Sequence, residues 1–343
     1  MTKKDFDLIA LGEVLLRLSS PNHERLVQSD TFQKQVGGAE LNVVSGVSLL
    51  GLRTGIISKL PENDLGTYVK NKIRFSGVSD DFLVYENNKD SRLGIYYYEY
   101  GAHPRKPSIV YDRLYSTIKN IDTADYDDEM YGKAKCFHTS GITLALCEQT
   151  HKTAVEMIKK FKASGALISF DVNFRANLWT GAEAKACIEE ILPYVDILFC
   201  SEDTSRLTFL KEGTAEEMMK SFTEEYPISI VASTQRIVFS PKLHTFGSVI
   251  YNAKEDKYFT EEPYENIEVV DRIGSGDAYV SGALYGLLAY DMDCRKALEY
   301  GNASGAVKNT IQGDVASSDL KEINRIIHNH KNKHKKNQSE MER

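Results

Sequence analysis

Short β-rich runs alternate with longer helical stretches along most of this chain, and that rhythm constrains the fold more than any other feature. Leu8-Ile9-Ala10-Leu11 reads as a first strand and Gly55-Ile56-Ile57-Ser58 as another. Leu167–Phe170, Ile197–Cys200 and Ile228–Val231 read as later ones. Between them, residues 40–50, 64–76, 150–164, 181–191 and 215–225 carry apolar side chains at helical spacing. Such alternation predicts an α/β fold, a mostly parallel sheet covered by helices. Two stretches break the rhythm. Residues 13–36 and 92–113 read as β structure with no intervening helix, which predicts a small accessory sheet projecting as a lid over a site; simple edge hairpins are the plainer alternative.

Composition narrows the class. The 343 residues allow one large domain or two smaller ones, at about 100–200 residues each. With 42 Lys+Arg against 49 Asp+Glu the chain carries a net charge of −7, so the basic footprint of a nucleic-acid binder is missing. No apolar run approaches the roughly 18 residues of a membrane span. The N-terminus enters a strand pattern without a secretory apolar segment, so the expected location is the cytoplasm. The five cysteines are scattered, with no C-x-x-C pair, and predict reduced core thiols rather than disulfides or a zinc site. The expected assembly is a homo-oligomer that engages neither nucleic acid nor membrane. Residues 321–343 read as a polar, frayed helical tail in preference to a nucleic-acid arm or a histidine metal cluster.

The chemistry concentrates near residue 274. After the strand-like Ile267–Val270 comes Asp271-Arg-Ile-Gly274-Ser275-Gly276-Asp277, and then a helix rich in small residues. Gly274 and Gly276 permit close backbone approach, and the amides at the helix start form an anion site. Asp277 then has two readings. It either caps the helix, or it takes a proton from a substrate hydroxyl while the turn holds a phosphoryl group. A second element, Gly37-Gly38-Ala39-Glu40-Leu41-Asn42, leads into another helix, and Asn42 offers both donor and acceptor to a polyhydroxylated molecule. The P-loop pattern, a G-x-G-x-x-G after the first strand, the protein-kinase elements and the G-x-S-x-G elbow are all missing from the sequence.

A Gly-Gly-x-x-x-Asn element near the start and Gly-x-Gly-Asp near the end resemble the two signatures of the PfkB (ribokinase-like) carbohydrate kinases, and the resemblance spans about residues 5–320. It implies one kinase domain over 1–320, a three-layer α/β sandwich with a β-sheet lid, ATP with Mg2+ as donor, and a sugar hydroxyl as acceptor. By resemblance Asp277 is the catalytic base, and the Gly274-Ser275-Gly276 backbone is the anion hole. Gly-Gly-Ala-Glu-Leu-Asn is more like the 2-keto-3-deoxygluconate kinases than ribokinases or fructokinases. Gly94-Ile-Tyr96, Tyr111-Asp-Arg113 and Asp171-Val-Asn173-Phe-Arg175 point the same way. That likeness places Gly38, Asn42, Tyr96, Tyr111, Arg113, Asn173 and Arg175 around a sugar-acid site, with Asp314 at its edge. Arginine suits such a substrate because its planar fork binds a carboxylate through two parallel bonds. The plainer readings are a solvated Arg113 and an Arg175 paired with Asp171.

The chain also departs from the family. Ser201-Glu202-Asp203-Thr204 replaces the usual Asn-x-x-Glu, which leaves the metal ligands unassigned, although Glu202 or Asp203 could act through water. The glycine-rich nucleotide turn after 228–232 is missing too; Thr234 and Gly247 are the expected phosphate and nucleotide contacts there, and Asn302 resembles a position bordering adenine. Arg272, where threonine is commoner, either reaches the transferred phosphate or pairs with Asp271. The expectation is a sugar-acid kinase acting at a terminal hydroxyl. A neutral-sugar kinase and a non-catalytic sugar-binding protein stand as alternatives, with a nicotinamide dehydrogenase more distant.

Overall fold

The computed structural model describes residues 4–333. The chain runs through β1 (Phe6–Leu11), β2 (Leu15–Ser19), β3 (Gln33–Gly37), α1 (Ala39–Leu49), β4 (Thr54–Pro61), α2 (Asp64–Phe75), β5 (Leu83–Glu86), β6 (Gly94–Glu99) and β7 (Ser108–Asp112). Then follow β8 (Ala134–Ser140), α3 (Gly141–Ala145), α4 (Glu148–Ala163), β9 (Leu167–Asp171), α5 (Gly181–Glu189), β10 (Ile197–Phe199), α6 (Glu202–Phe209) and α7 (Ala215–Glu225). The last part holds β11 (Ile230–Ser240), β12 (Leu243–Asn252), β13 (Lys257–Phe259), β14 (Tyr264–Glu268), α8 (Ser275–Ala289), α9 (Cys294–Lys308) and α10 (Leu320–Lys331).

The main sheet has ten strands in the order β13-β12-β11-β10-β9-β8-β1-β4-β5, with β14 also on β12. It is parallel from β5 to β11 and antiparallel beyond. Its central strands are buried on both faces, which is why they read as unbroken apolar runs such as Leu8–Leu11. One core gathers Phe137, Phe161, Phe170 and Phe222 on one face of the sheet; a second gathers Val44, Val47, Ile56, Leu284 and Leu298 on the other. The small residues of α8 have a packing reason: a Cβ at Gly282 or Gly286 would collide with the backbone of α9. Among the described residues no helix is long and apolar enough to cross a membrane.

The two stretches that broke the rhythm form a separate four-stranded sheet, β3-β2-β6-β7, with β2 and β6 parallel and the outer pairs antiparallel. Three details differ from expectation. β8, the neighbour of β1, gives no plain strand signal, because Lys135, His138 and Thr139 interrupt its apolar run; His138 is buried against the Ser169 hydroxyl at 2.9 Å. β11 does not stop near Val231 but continues to Ser240 as half of a long hairpin with β12. The strand before the glycine turn, β14, ends at Glu268 and lies antiparallel on β12. The tail begins as α10, and residues 334–343 lie outside those described.

Candidate active site

A cavity of about 440 Å3 opens beyond the carboxyl ends of the parallel strands and beneath the small sheet, where open α/β sheets place their ligands. β9 delivers Asp171 and the turn bearing Asn173 and Arg175; the segment after β10 delivers Ser201 and Thr204. β11 delivers Thr234 and Arg236, and the small sheet delivers Tyr96 and Tyr111, whose rings lie 5.8 Å apart. Gly38, Asn42, Gly274, Ser275, Gly276, Asp277 and Asp314 complete the floor.

The two glycine elements meet here, and their backbone explains the residue choice. Gly274 stands at φ +80°, and a Cβ on it would collide with the carbonyl oxygen of Asp314. Gly38, at φ +151°, has the carbonyl oxygen of Glu13 in the space a side chain would need. Gly274 occupies the N-cap position of α8, and the first intrahelical bond runs from Ala278 N to Gly274 O at 2.8 Å. The amides of the first turn have no intrahelical acceptor and offer an anion site.

Asp277 is not the helix cap. No side chain caps α8, and the Asp277 carboxylate instead accepts from Asn42 Nδ2 at 2.7 Å and lines the cavity. Burial pushes its pKa up to about 6, opposed by the Asn42 bond and the Arg175 charge and helped by Asp314. Asp171 is pushed up to about 7, chiefly by burial and then by the Asp277 charge. The Asn173 amide donates to it at 3.0 Å, closing a turn in which Asn173 takes φ +37° and throws the chain toward Arg175. Glu40 is a third buried acid beside them. Ser140 and Thr143 donate to its Oε1 at 2.6 and 2.7 Å, and burial raises its pKa.

Arg175, Arg236 and Arg272 line the same cavity, and among the described residues none of the three forms an ion pair with an acid. Burial and the Arg272 and Arg175 charges pull the Arg236 pKa below its ordinary value. The Arg175–Asp171 ion pair is therefore not formed, and Arg272 does not pair with Asp271, whose carboxylate faces Arg17 at 2.8 Å. Sequence reading missed Arg236; its signal was an arginine where a glycine-rich turn was expected. It also missed Arg17, and it took Glu40 only as a mark of resemblance.

Three expected contacts stand outside the cavity lining. Arg113 pairs with Glu13 at the margin of the small sheet. Gly247 lies inside β12, opposite Gln235 and against Pro263, because a regular hairpin has replaced the loop. Asn302 is buried on α9, where Ser248 donates to its Oδ1 at 2.7 Å and its Nδ2 donates to Glu261 at 2.8 Å. Asp314 lies deeper than an edge residue: it accepts from Arg17 Nη1 at 2.7 Å and from the Tyr96 hydroxyl.

Comparison with known proteins agrees with this geometry. Residues 5–321 match the pfkB family carbohydrate kinase. A 2-dehydro-3-deoxygalactonokinase of Haloferax volcanii is 31% identical over 321 residues, covering 94% of this chain and 96% of its own. The crystal structure of 2-dehydro-3-deoxygluconokinase from Thermotoga maritima is 31% identical with a TM-score of 0.89, over 94% of this chain and 99% of that one. An E. coli protein solved in complex with ATP and Mg2+, 22% identical with a TM-score of 0.82 over 95% of this chain and all of its own, shares the fold. The chain belongs to the pfkB family of carbohydrate kinases.

Proposed function

We propose that this chain is an ATP-dependent kinase of 2-keto-3-deoxygluconate or a close 2-keto sugar acid, transferring the γ-phosphoryl group to the terminal hydroxyl. The observation that carries the reading is one cavity in which Asp277 adjoins the anion turn while three guanidiniums, without acidic partners among the described residues, line the walls. An anionic acceptor and a polyphosphate donor both need such cations, and a neutral sugar would use fewer of them.

In this reading the acceptor hydroxyl gives its proton to Asp277 as its oxygen bonds to the γ-phosphorus, and the bond to ADP breaks. A base with a pKa of about 6 is ionised at neutral pH yet basic enough to take the proton. The amides of Gly276 and Asp277, in the first turn of α8 and without intrahelical acceptors, receive the charge on the transferred group with little reorganisation. Arg175 meets the substrate carboxylate, with Asn42 and Asn173 on hydroxyls and Tyr96 and Tyr111 along the carbon chain above Gly38. Arg113, outside the cavity lining, is held by Glu13 through Nη2 and has its Nε unpartnered among the described residues. Thr234, Arg236 and Arg272 take the donor phosphates.

ATP brings Mg2+, which offsets phosphate charge. Among the described residues no group of three His, Cys, Asp or Glu gathers to hold a metal, which suits an ion held mainly by phosphate oxygens and water. Glu202 and Asp203, in the first turn of α6 next to Ser201 and Thr204, are the acids best placed to reach it through water. Self-association through the exposed edge strand β7, where Ile109, Val110 and Tyr111 are open to solvent, belongs to the same reading, as does a cytoplasmic location in keeping with five free cysteines.

The test is ADP release over a panel of sugar acids and neutral sugars. The expected result is turnover with 2-keto-3-deoxygluconate or a close 2-keto acid, well above that with fructose or ribose. A preference for a neutral sugar would overturn the sugar-acid assignment.

A further inference from the structure

Arg17 is not among the residues that line the cavity, yet it is one of the largest side chains wholly withdrawn from solvent among the described residues. It leaves β2 in the small sheet and ends between two carboxylates, Asp314 of the cavity floor and Asp271 behind it. Nη1 donates to Asp314 Oδ1 at 2.7 Å, Nη2 stands 2.8 Å from Asp271 Oδ2 as an ion pair without hydrogen-bond alignment, and Nε donates to Ser19 Oγ at 2.7 Å. The guanidinium also lies 4.2 Å from the Tyr98 ring centre and 5.3 Å from that of Tyr100.

Both acids adjoin the anion turn, Asp271 through its carboxylate and Asp314 through its main chain. Asp271 opens it, accepting from Ile273 N at 3.1 Å on one oxygen and from Gly313 N at 3.0 Å on the other. Asp314 follows Gly313, places its carbonyl against Gly274 and its carboxylate against Gly37, and takes the Tyr96 hydroxyl. Tyr96 faces the cavity from the sugar side. One lid residue therefore holds both supports of the phosphate-side turn and, through Asp314, a tyrosine of the sugar side.

Stability alone does not account for this arrangement. Desolvating a guanidinium and two carboxylates costs so much that a well-packed apolar replacement is often as stable or more so. What the cluster supplies is a fixed geometry, since a planar fork reaches two acids in set directions and an ammonium does not. Lys308 adds a second buried amine beside the two acids, its Nζ donating to the carbonyls of Ile311 at 3.0 Å and Asp271 at 3.4 Å.

We infer that Arg17 is a positioning residue for phosphoryl transfer, locking the 271–277 turn to the lid sheet so that the sugar-side and phosphate-side groups reach their reacting spacing together. The inference rests on the roles proposed for Asp277 and the turn. It predicts that loss of Arg17 lowers turnover rather than donor binding.

The experiment uses Arg17→Ala and Arg17→Lys in the full chain. In Arg17→Ala, kcat should fall by about 100-fold or more while KM for ATP stays within about threefold. Millimolar guanidinium should restore part of that kcat, and urea, equal in shape but uncharged, should not. Arg17→Lys keeps the charge and should still lose at least about tenfold in kcat. Hydrogen exchange of the 271–277 amides, read without substrate, should quicken in both variants. A kcat within about threefold of wild type in folded Arg17→Ala, equal responses to guanidinium and urea, or unchanged exchange in the turn would overturn the inference. Failure of the wild-type enzyme to phosphorylate any acceptor would overturn the proposed function instead, and the exchange measurement would still report whether Arg17 holds the turn.

Discussion

The side-chain amide of Asn42 donates to Oδ2 of Asp277 at 2.7 Å, a bond that ties the first turn of α1 to the first turn of α8 across 235 residues of sequence. Both helices begin at the cavity, so the bond fixes the acceptor side against the anion turn. The oxygen of the same side-chain amide, Oδ1, is buried with no hydrogen-bond partner among the described residues, which leaves it for a substrate hydroxyl.

Because a hydrogen bond to the ionised form lowers a carboxylate's pKa, Asn42→Ala should raise that of Asp277 above its present value of about 6. The acid limb of the kcat–pH profile should move upward by about 0.5–1 pH unit, with kcat recovering at higher pH. The measurement is kcat from pH 5 to 9 in both proteins; coincident acid limbs would remove Asn42 from the control of Asp277.

Asp277→Asn should separate activity from stability. Turnover should drop by about 10²–10⁴-fold or more, with ATP affinity nearly unchanged. Stability should move the other way. The folded protein binds the Asp277 proton more tightly than the unfolded chain does, so this group favours folding below the ordinary carboxyl pKa, and that contribution is lost as the pH rises through about 6. Asparagine cannot ionise, so the variant should be more stable by about 1–2 kcal/mol at pH 8, allowing for solvent in the cavity, and the difference should vanish toward pH 4. Denaturant melts at the two pH values check it.

If the small sheet closes over bound substrate, residues 13–36 and 92–113 should gain hydrogen-exchange protection when the sugar acid saturates the enzyme, since phosphoryl transfer must exclude water. The change should be largest in β7, whose residues are all exposed. Equal exchange with and without substrate would make the sheet a fixed wall.

Much of this architecture was legible because the physics is local. Leu8–Leu11 and Ile197–Phe199 are short strands buried on both faces and show as plain apolar runs, and 13–36 and 92–113 betray a separate sheet by lacking helical spacing. The glycines of both signatures were legible because φ at Gly38 and Gly274 leaves no room for another residue. What was hidden depends on distant partners. Arg17 on an alternating strand looks like a solvated charge until Asp271 and Asp314 close on it. Glu40 in a first helical turn looks like a dipole partner until the hydroxyls of Ser140 and Thr143 arrive from β8 and α3. Arg236 is carried to the cavity by a hairpin whose exposed Ile237-Val238-Phe239 gives no amphipathic signal.

The substrate class depends most on Arg175, whose guanidinium lines the cavity and has no acidic partner among the described residues. The decisive measurement is kcat/KM for 2-keto-3-deoxygluconate and for fructose in the wild type, Arg175→Met and Arg175→Lys. Because Arg175 keeps solvent access, its loss should cost the acid about 1–3 kcal/mol, or roughly 10- to 100-fold in kcat/KM, with partial recovery by lysine and a much smaller change for fructose. Equal proportional losses on the acid and the neutral sugar, or a wild-type preference for fructose, would contradict a carboxylate bound at Arg175 and with it the sugar-acid kinase.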